Sequence, residues 1–336
     1  MLSTARILLG ESTAPLNRLA HLVAKTKDPV LTAYVHDHLS NDEWRWVPGV
    51  RCSDCAKLHT YNNGECHGCN WIRREGSYDP DNPRIPGWVI PPLFVKRTLV
   101  TRAEYGAQVD LSWGVEDECE ACRSKPGSPN LCKTCLKRRR LGLHSDLPIS
   151  NVSHDEANAY CESYSYRHMR VLQEGDNWFP LVRLPTVEEW RHFAGNIPTC
   201  TWPFVSQLPS DTKGVDHCDG HGRMVSDSEI LCAGCQGTGL SFPWIDAHAW
   251  TNRNSEGRTQ PVGKLAPTQW GLADVWGNLC EWTSTPQGFL RIAMGGHRGA
   301  SPTMLGPWTL PALGEATHPN WDYIGFRPVR FALTSR

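Results

Sequence analysis

Cysteines spaced as Cys-x-x-Cys recur along this chain, and each such turn is followed at a fixed interval by a second one. Cys52-Ser-Asp-Cys55 and Cys66-His-Gly-Cys69 are separated by ten residues. Cys119-Glu-Ala-Cys122 and Cys132-Lys-Thr-Cys135 are separated by nine, and Cys218-Asp-Gly-His221 and Cys232-Ala-Gly-Cys235 by ten. A tight reversal aims both ligand atoms of a turn at one ion, and two turns together supply the four tetrahedral ligands that zinc takes. An isolated Cys-x-x-Cys at a helix start would point to redox chemistry, but here each is doubled. Four protein ligands leave no open position for water. The pattern therefore predicts three structural zinc sites, inserted at 52–69, 119–135 and 218–235. Loops this short cannot build a hydrophobic core, and metal takes its place. His217 competes with His221 for the fourth position of the third site. The remaining cysteines, Cys161, Cys200 and Cys280, read as small buried hydrophobes.

Composition narrows the function classes. Net charge is −1 and the pI about 6.9, so no broad basic field exists to attract nucleic acid or a membrane surface. The one basic run, "CLKRRR" at 135–140, reads as a solvated loop. Asp54, Glu118, Glu120 and Asp219 beside the knuckles also argue against a nucleic-acid partner. No apolar run reaches membrane-spanning length, so no membrane insertion is expected. The N-terminal stretch "MLSTARILLGESTAPLNRL" is a poor secretory signal, and disulfides are then not the default use of the cysteines.

Residues 1–43 read as a helical N-terminal segment, with Pro29 in the first turn of its second helix. From 44 to 336 the texture changes to short strands, turns and tryptophans, expected as one domain carrying the three knuckles. The first knuckle interrupts an early hairpin. Three Ser/Thr-x-x-Glu patterns mark helix starts: Thr101 with Glu104, Ser153 with Glu156, and Thr186 with Glu189. The fold class expected is α+β.

A run of motifs then appears in a telling order: "WVPG", "LVTRAEY", "NVSHDEANAYC", "RLPTVEEW", "FPW", "GRTQPVGKLAPTQWGLADVWGNLCEWTS", "RIAMGG" and "IGFRPVR". From about Trp44 to Phe331 the chain resembles the formylglycine-generating enzymes and their relatives, the sulfatase-modifying-factor superfamily. The resemblance implies an irregular C-type lectin fold of that type, with little regular structure, a small twisted sheet and long loops. The third knuckle by itself looks like the zinc-binding repeats of DnaJ-type chaperones, which implies metal binding only. In the sulfatase-modifying-factor family the "GNxxEW" motif helps to hold calcium, which maps to Gly277, Asn278, Leu279 and Glu281. The alternative is that Asn278 and Glu281 tie down the turn by hydrogen bonds.

The family's oxidases carry two copper-binding cysteines after the "GG". By that spacing the positions fall on Ala300 and Leu305, which cannot bind a soft metal, and no copper is expected. The residue after "GFR", often Cys in the enzymes, is Pro328. For an iron site, His154 and His168 are scattered along the chain. The resemblance therefore implies the scaffold without the oxidase chemistry. The same fold serves as a binding module in variable proteins of diversity-generating retroelements, including phage receptor-binding proteins, whose variable residues lie between "GG" and the final "IGFR". Here that interval is 297–323. Its expected contact residues are His297, Arg298, Ser301, Thr303, Met304, Trp308, Thr309, His318, Asn320, Trp321 and Tyr323. The expected partner is a protein or glycan ligand on a cell surface, or virion proteins. The chain is expected in a virion if phage-encoded and in the cytoplasm otherwise. A divergent metal-dependent oxidase is the alternative, and the oligomeric state is left open.

Overall fold

The N-terminal helices each bury one face. In the computed structural model, residues 15–52, 65–66, 71–72, 88–108, 146–168, 182–198, 200, 232, 235–236, 238–287, 290–305, 312–315 and 322–331 are described. Helix α1 (Pro15–Thr26) leads to α2 (Pro29–Leu39), whose N-cap is Asp28. Asp28 Oδ1 accepts from the N–H of Val30 at 2.9 Å and of Leu31 at 3.3 Å, and Pro29 occupies the turn where no donor is missed. Leu19, Val23, Leu31 and Val35 close on Trp46. His36 Nδ1 lies 2.6 Å from the Trp46 carbonyl oxygen. The segment is thus a cap seated on the first strand.

Two four-stranded sheets carry the rest. In the first, β1 (Trp44–Val47), β6 (Leu93–Lys96), β14 (Val329–Phe331) and β7 (Val182–Arg183) lie antiparallel in that order. In the second, β12 (Ala312–Glu315), β11 (Leu290–Met294), β10 (Cys280–Gln287) and β13 (Ile324–Gly325) follow one another, with β10 and β13 parallel. Short pairs flank them: β2 (Val50–Arg51) with β5 (Trp88–Ile90), β3 (Glu65–Cys66) with β4 (Trp71–Ile72), and β8 (Ala249–Trp250) with β9 (Trp276–Gly277). The antiparallel pairing of β2 with β5 brackets residues 52–87, where the first knuckle is expected.

All three capping patterns start helices. Thr101 and Glu104 bracket α3 (Arg102–Gln108), with reciprocal bonds of 2.8 and 3.2 Å. Ser153 and Glu156 do the same for α4 (His154–His168), at 2.9 and 3.1 Å. Thr186 and Glu189 open α5 (Val187–Ala194). A further helix, α6 (Phe242–His248), starts at "FPW" with a proline in its first turn. One apolar cluster joins Trp190 and Phe193 of α5, Ile245 of α6, Trp276, Met294 and Leu305. A second joins Tyr105, Tyr160, Trp282, Ile324 and Phe326. Indoles fill the irregular space between sheets: Trp46, Trp190, Trp276 and Trp282 are all fully buried.

Candidate functional site

The segment after "GG" leaves the end of β11 at Gly295, whose φ is +98°. A Cβ there would sit 2.7 Å from the Val275 carbonyl oxygen, so only glycine lets the two backbones approach. The following backbone is pinned from below. The Arg298 N–H donates to Asn278 O at 2.9 Å, Ser255 Oγ donates to Arg298 O at 2.7 Å, and the Asn252 N–H donates to Ala300 O at 3.1 Å. Asn278 is itself held, its Oδ1 accepting from the Gln260 N–H and its Nδ2 donating to Gln260 O.

The two ends of the 297–323 interval meet in space. Arg298 Nη2 donates to Asp322 Oδ2 at 2.9 Å, Nη1 to Asp322 O at 3.0 Å and Nε to Gly257 O at 3.3 Å. His297 lies against Tyr323 with ring centroids 4.9 Å apart. Its Nδ1 accepts from the Gly299 N–H at 3.1 Å, which places the proton of the neutral ring on Nε2. Burial, and then neighbouring Arg298, lower the His297 pKa against the pull of Asp322. Ser301 starts a short 3₁₀ turn, Pro302–Met304, that exposes Thr303 and Met304. Among the described residues the face thus presents the exposed side chains of Thr303, Met304 and Asp322, an aromatic pair, and an arginine committed to an ion pair with Asp322. Asp322, the partner of Arg298, was not among the expected contacts. Trp308, Thr309, His318, Asn320 and Trp321 lie outside the described residues.

Ala300 and Leu305, the residues expected at the positions of the oxidases' thiols, are both buried, and Leu305 packs in the larger core cluster. Cys280 is buried on β10, and burial pushes its thiol up to about 12. Burial raises the Cys161 thiol as well. Both match the expectation of inert core cysteines. His154 is buried too: Asn158 Nδ2 lies 3.2 Å from its Nδ1, and its Nε2 is 3.1 Å from Thr283 O, a structural tie from α4 to β10.

Beneath the loop, Glu281 and Arg327 form an ion pair in which neither side chain is exposed. Arg327 Nε and Nη2 donate to the Glu281 carboxylate at 2.8–3.2 Å. Nη1 donates to Lys96 O and Arg97 O, and Nη2 also donates to Ala273 O. Trp190 Nε1 donates to Glu281 Oε2 at 2.8 Å. Burial pushes the Glu281 carboxyl upward, and Arg327 opposes the rise. Both oxygens of Glu281 are therefore engaged by protein donors, and the Asn278 side chain by Gln260. These contacts are those of the hydrogen-bonded turn. They do not suit a calcium set of Gly277, Asn278, Leu279 and Glu281, because a cation at Glu281 would face the guanidinium. Nearby Asp274 is buried with φ +55°; its Oδ2 accepts from the Gly263 N–H at 2.6 Å, while its Oδ1 has no hydrogen-bond partner.

Of the expected zinc ligands, Cys232 and Cys235 are described with their surroundings and are buried. Their neighbour is Cys200, expected only as a core hydrophobe. The three sulfurs lie within 4.8 Å of one another, a set able to hold a metal ion. Cys52 is buried beside β2, and Cys66 is a residue of β3. Cys55, Cys69, Cys119, Cys122, Cys132, Cys135, Cys218 and His221 lie outside the described residues.

The sequence profile of the sulfatase-modifying factor enzyme 1-like domain matches residues 66–332. The chain belongs to this family. Among solved structures it is similar to Treponema denticola variable protein 1, at 18% identity over 76% of this chain and 90% of that one, with a TM-score of 0.41. It is similar to PvdO from Pseudomonas aeruginosa at 17% identity, over 75% of this chain and 86% of that one, with a TM-score of 0.40. CarF shares 19% identity over 71% of this chain and 86% of its own, with a TM-score of 0.38. No curated protein matches the chain. Among the described residues, no helix is long and apolar enough to cross a membrane.

Proposed function

We propose that this member of the sulfatase-modifying-factor family is a non-catalytic ligand-binding protein that displays its recognition surface at 297–323. The observation that carries this reading is the pairing of hydrocarbon at Ala300 and Leu305 with a loop held rigidly from beneath. The positions that bind copper in the family's oxidases face the core here, while Thr303 and Met304 next to them face solvent. A scaffold fixed by backbone hydrogen bonds can change such side chains without unfolding. The aromatic pair of His297 and Tyr323 supplies the kind of anchor that protein interfaces use. The ligand is a protein or glycan on a cell surface, or a virion protein, and the setting is a phage or a diversity-generating retroelement. Three structural zinc ions stiffen the inserted knuckles around this scaffold.

The test is elemental mass spectrometry on protein purified without chelator, together with aerobic incubation of the metal-loaded chain with a cysteine-containing peptide. Zinc without copper or iron, and an unchanged peptide thiol, are the expected results. Stoichiometric copper or iron with turnover of the thiol would establish the divergent oxidase instead. Substituting Cys52 or Cys119 by Ser should speed protease cutting within its own knuckle; an unchanged cutting pattern would remove zinc from those loops.

A further inference from the structure

The third knuckle contains its own four ligand-type residues, Cys218, His221, Cys232 and Cys235. The fold brings in another thiol from outside it. Cys200 precedes Cys232 by 32 residues, yet their Sγ atoms are 3.9 Å apart. The Cys235 sulfur completes a triangle within 4.8 Å, and all three residues are buried. Sulfurs bound to one zinc at about 2.3 Å stand about 3.8 Å apart at the corners of a tetrahedron. A disulfide would hold them at about 2.05 Å. The observed spacing is too long for a disulfide and fits ligands to a common ion.

Protein contacts away from the sulfurs set this arrangement. The Cys200 N–H donates to Gly239 O at 2.8 Å, and the Ser241 N–H donates to Pro198 O at 2.9 Å. The chain leaving α5 is thereby laid against the chain entering α6. On the other side, the Thr238 N–H and Oγ1 both donate to Cys235 O, at 3.0 and 2.8 Å, and the Leu240 N–H donates to Thr238 Oγ1. Ile197, Phe242 and Ile245, which flank the triangle along the chain, belong to the larger core cluster.

We propose that Cys200 is a zinc ligand together with Cys232 and Cys235. The third metal site is then a staple between the segments after α5 and before α6, not a knuckle closed within 218–235. Each thiol gives up its proton as it binds the ion, and one corner of the tetrahedron remains for a fourth ligand. The staple ties its insertion to the core, whereas the first two knuckles draw their expected ligands from within their own loops. This inference rests on the zinc reading above, and the experiment separates the two.

The full zinc-loaded chain is alkylated under native conditions, with and without chelator, and each cysteine is scored by peptide mass spectrometry. Cys200, Cys232 and Cys235 should be protected together and become labelled together once zinc is removed. Cys161 and Cys280, buried in the core, are internal controls and should stay protected throughout. In parallel, Cys200→Ala should lower the zinc content by one ion per chain, and Cys200→His should restore it. The proposal is overturned if Cys200 stays protected with the controls after Cys232 and Cys235 are released, or if Cys200→Ala keeps the full zinc count. Wild-type protein without zinc would instead overturn the zinc reading itself.

Discussion

Removing the guanidinium of Arg327 would leave the Glu281 carboxylate buried with only the Trp190 N–H as a partner. Breaking a buried pair from one side costs about 3–5 kcal/mol. Arg327→Met should lower stability by that amount in urea denaturation. The double variant with Glu281→Gln should recover part of the loss, because position 281 then no longer holds an unpaired buried charge. The loop above offers a sharper contrast between adjacent residues. Leu305 is buried in the core cluster, and Leu305→Ala should cost about 2–5 kcal/mol. Met304 is 51% exposed and Thr303 is also exposed, so alanine at either should change stability by no more than about 0.5 kcal/mol. A large cost at Met304 would show that the loop tip is packed, and the display reading would lose its surface.

At the scale of the element, α5 is tied into its surroundings at its first turn. Thr186 caps it, and Glu189 closes the box with its Oε2 on the Thr186 N–H at 2.9 Å. The same carboxylate pairs with Arg183 of β7 through two bonds of 2.7 Å, both side chains being buried. Arg183 also lies over the Phe331 ring at 4.5 Å, which links the helix start to β14. Thr186→Ala removes one cap bond and should cost about 1 kcal/mol. Glu189→Ala also removes the carboxylate from buried Arg183 and should cost about 3–5 kcal/mol. At α3 the caps join a partly exposed acid, Glu104, paired with Lys96 at 2.6 Å, so Glu104→Ala should cost less than Glu189→Ala. Equal losses at the two helices would show that the cap alone, not the buried pair, sets the cost.

For the whole molecule, buried histidines contribute to the response to acid. Burial lowers the His192 pKa, against the pull of the Pro48 carbonyl 2.6 Å from its Nε2 and of Glu189. His21 and His297 are lowered by burial as well, each with a nearby arginine adding to the shift. A histidine lowered on folding binds a proton more readily when unfolded. Its contribution is complete above the ordinary histidine value near 6.5 and is lost as the pH falls through the lowered, folded value. The melting temperature should therefore fall between pH 7.5 and pH 5.5, and His192→Gln should flatten that fall. An unchanged slope in the variant would assign the acid sensitivity to other groups.

Local chemistry was readable directly from the chain. The three capping boxes need only a hydroxyl and a carboxylate three residues apart, and each starts a helix at the expected residue. The family was legible too, because "GLADVWGNLCEW" and "GFR" must supply Glu281 and Arg327, whose burial demands a partner of opposite charge. What depends on distance in space was not legible. Cys200 looks like a leftover thiol until the ladder with Gly239 and Ser241 sets it beside Cys232. Arg298 reads as a free anchor until the return of the chain at Asp322 engages it. Glu281 reads as an oxygen ligand for a cation until Arg327, brought in from the far end of the domain, occupies both its oxygens. Spacing along a chain determines which turns and helix starts can form, because those involve neighbours within a few residues. Partners 24, 32 or 46 residues apart are chosen by the packing of the sheets, and only the folded chain decides them.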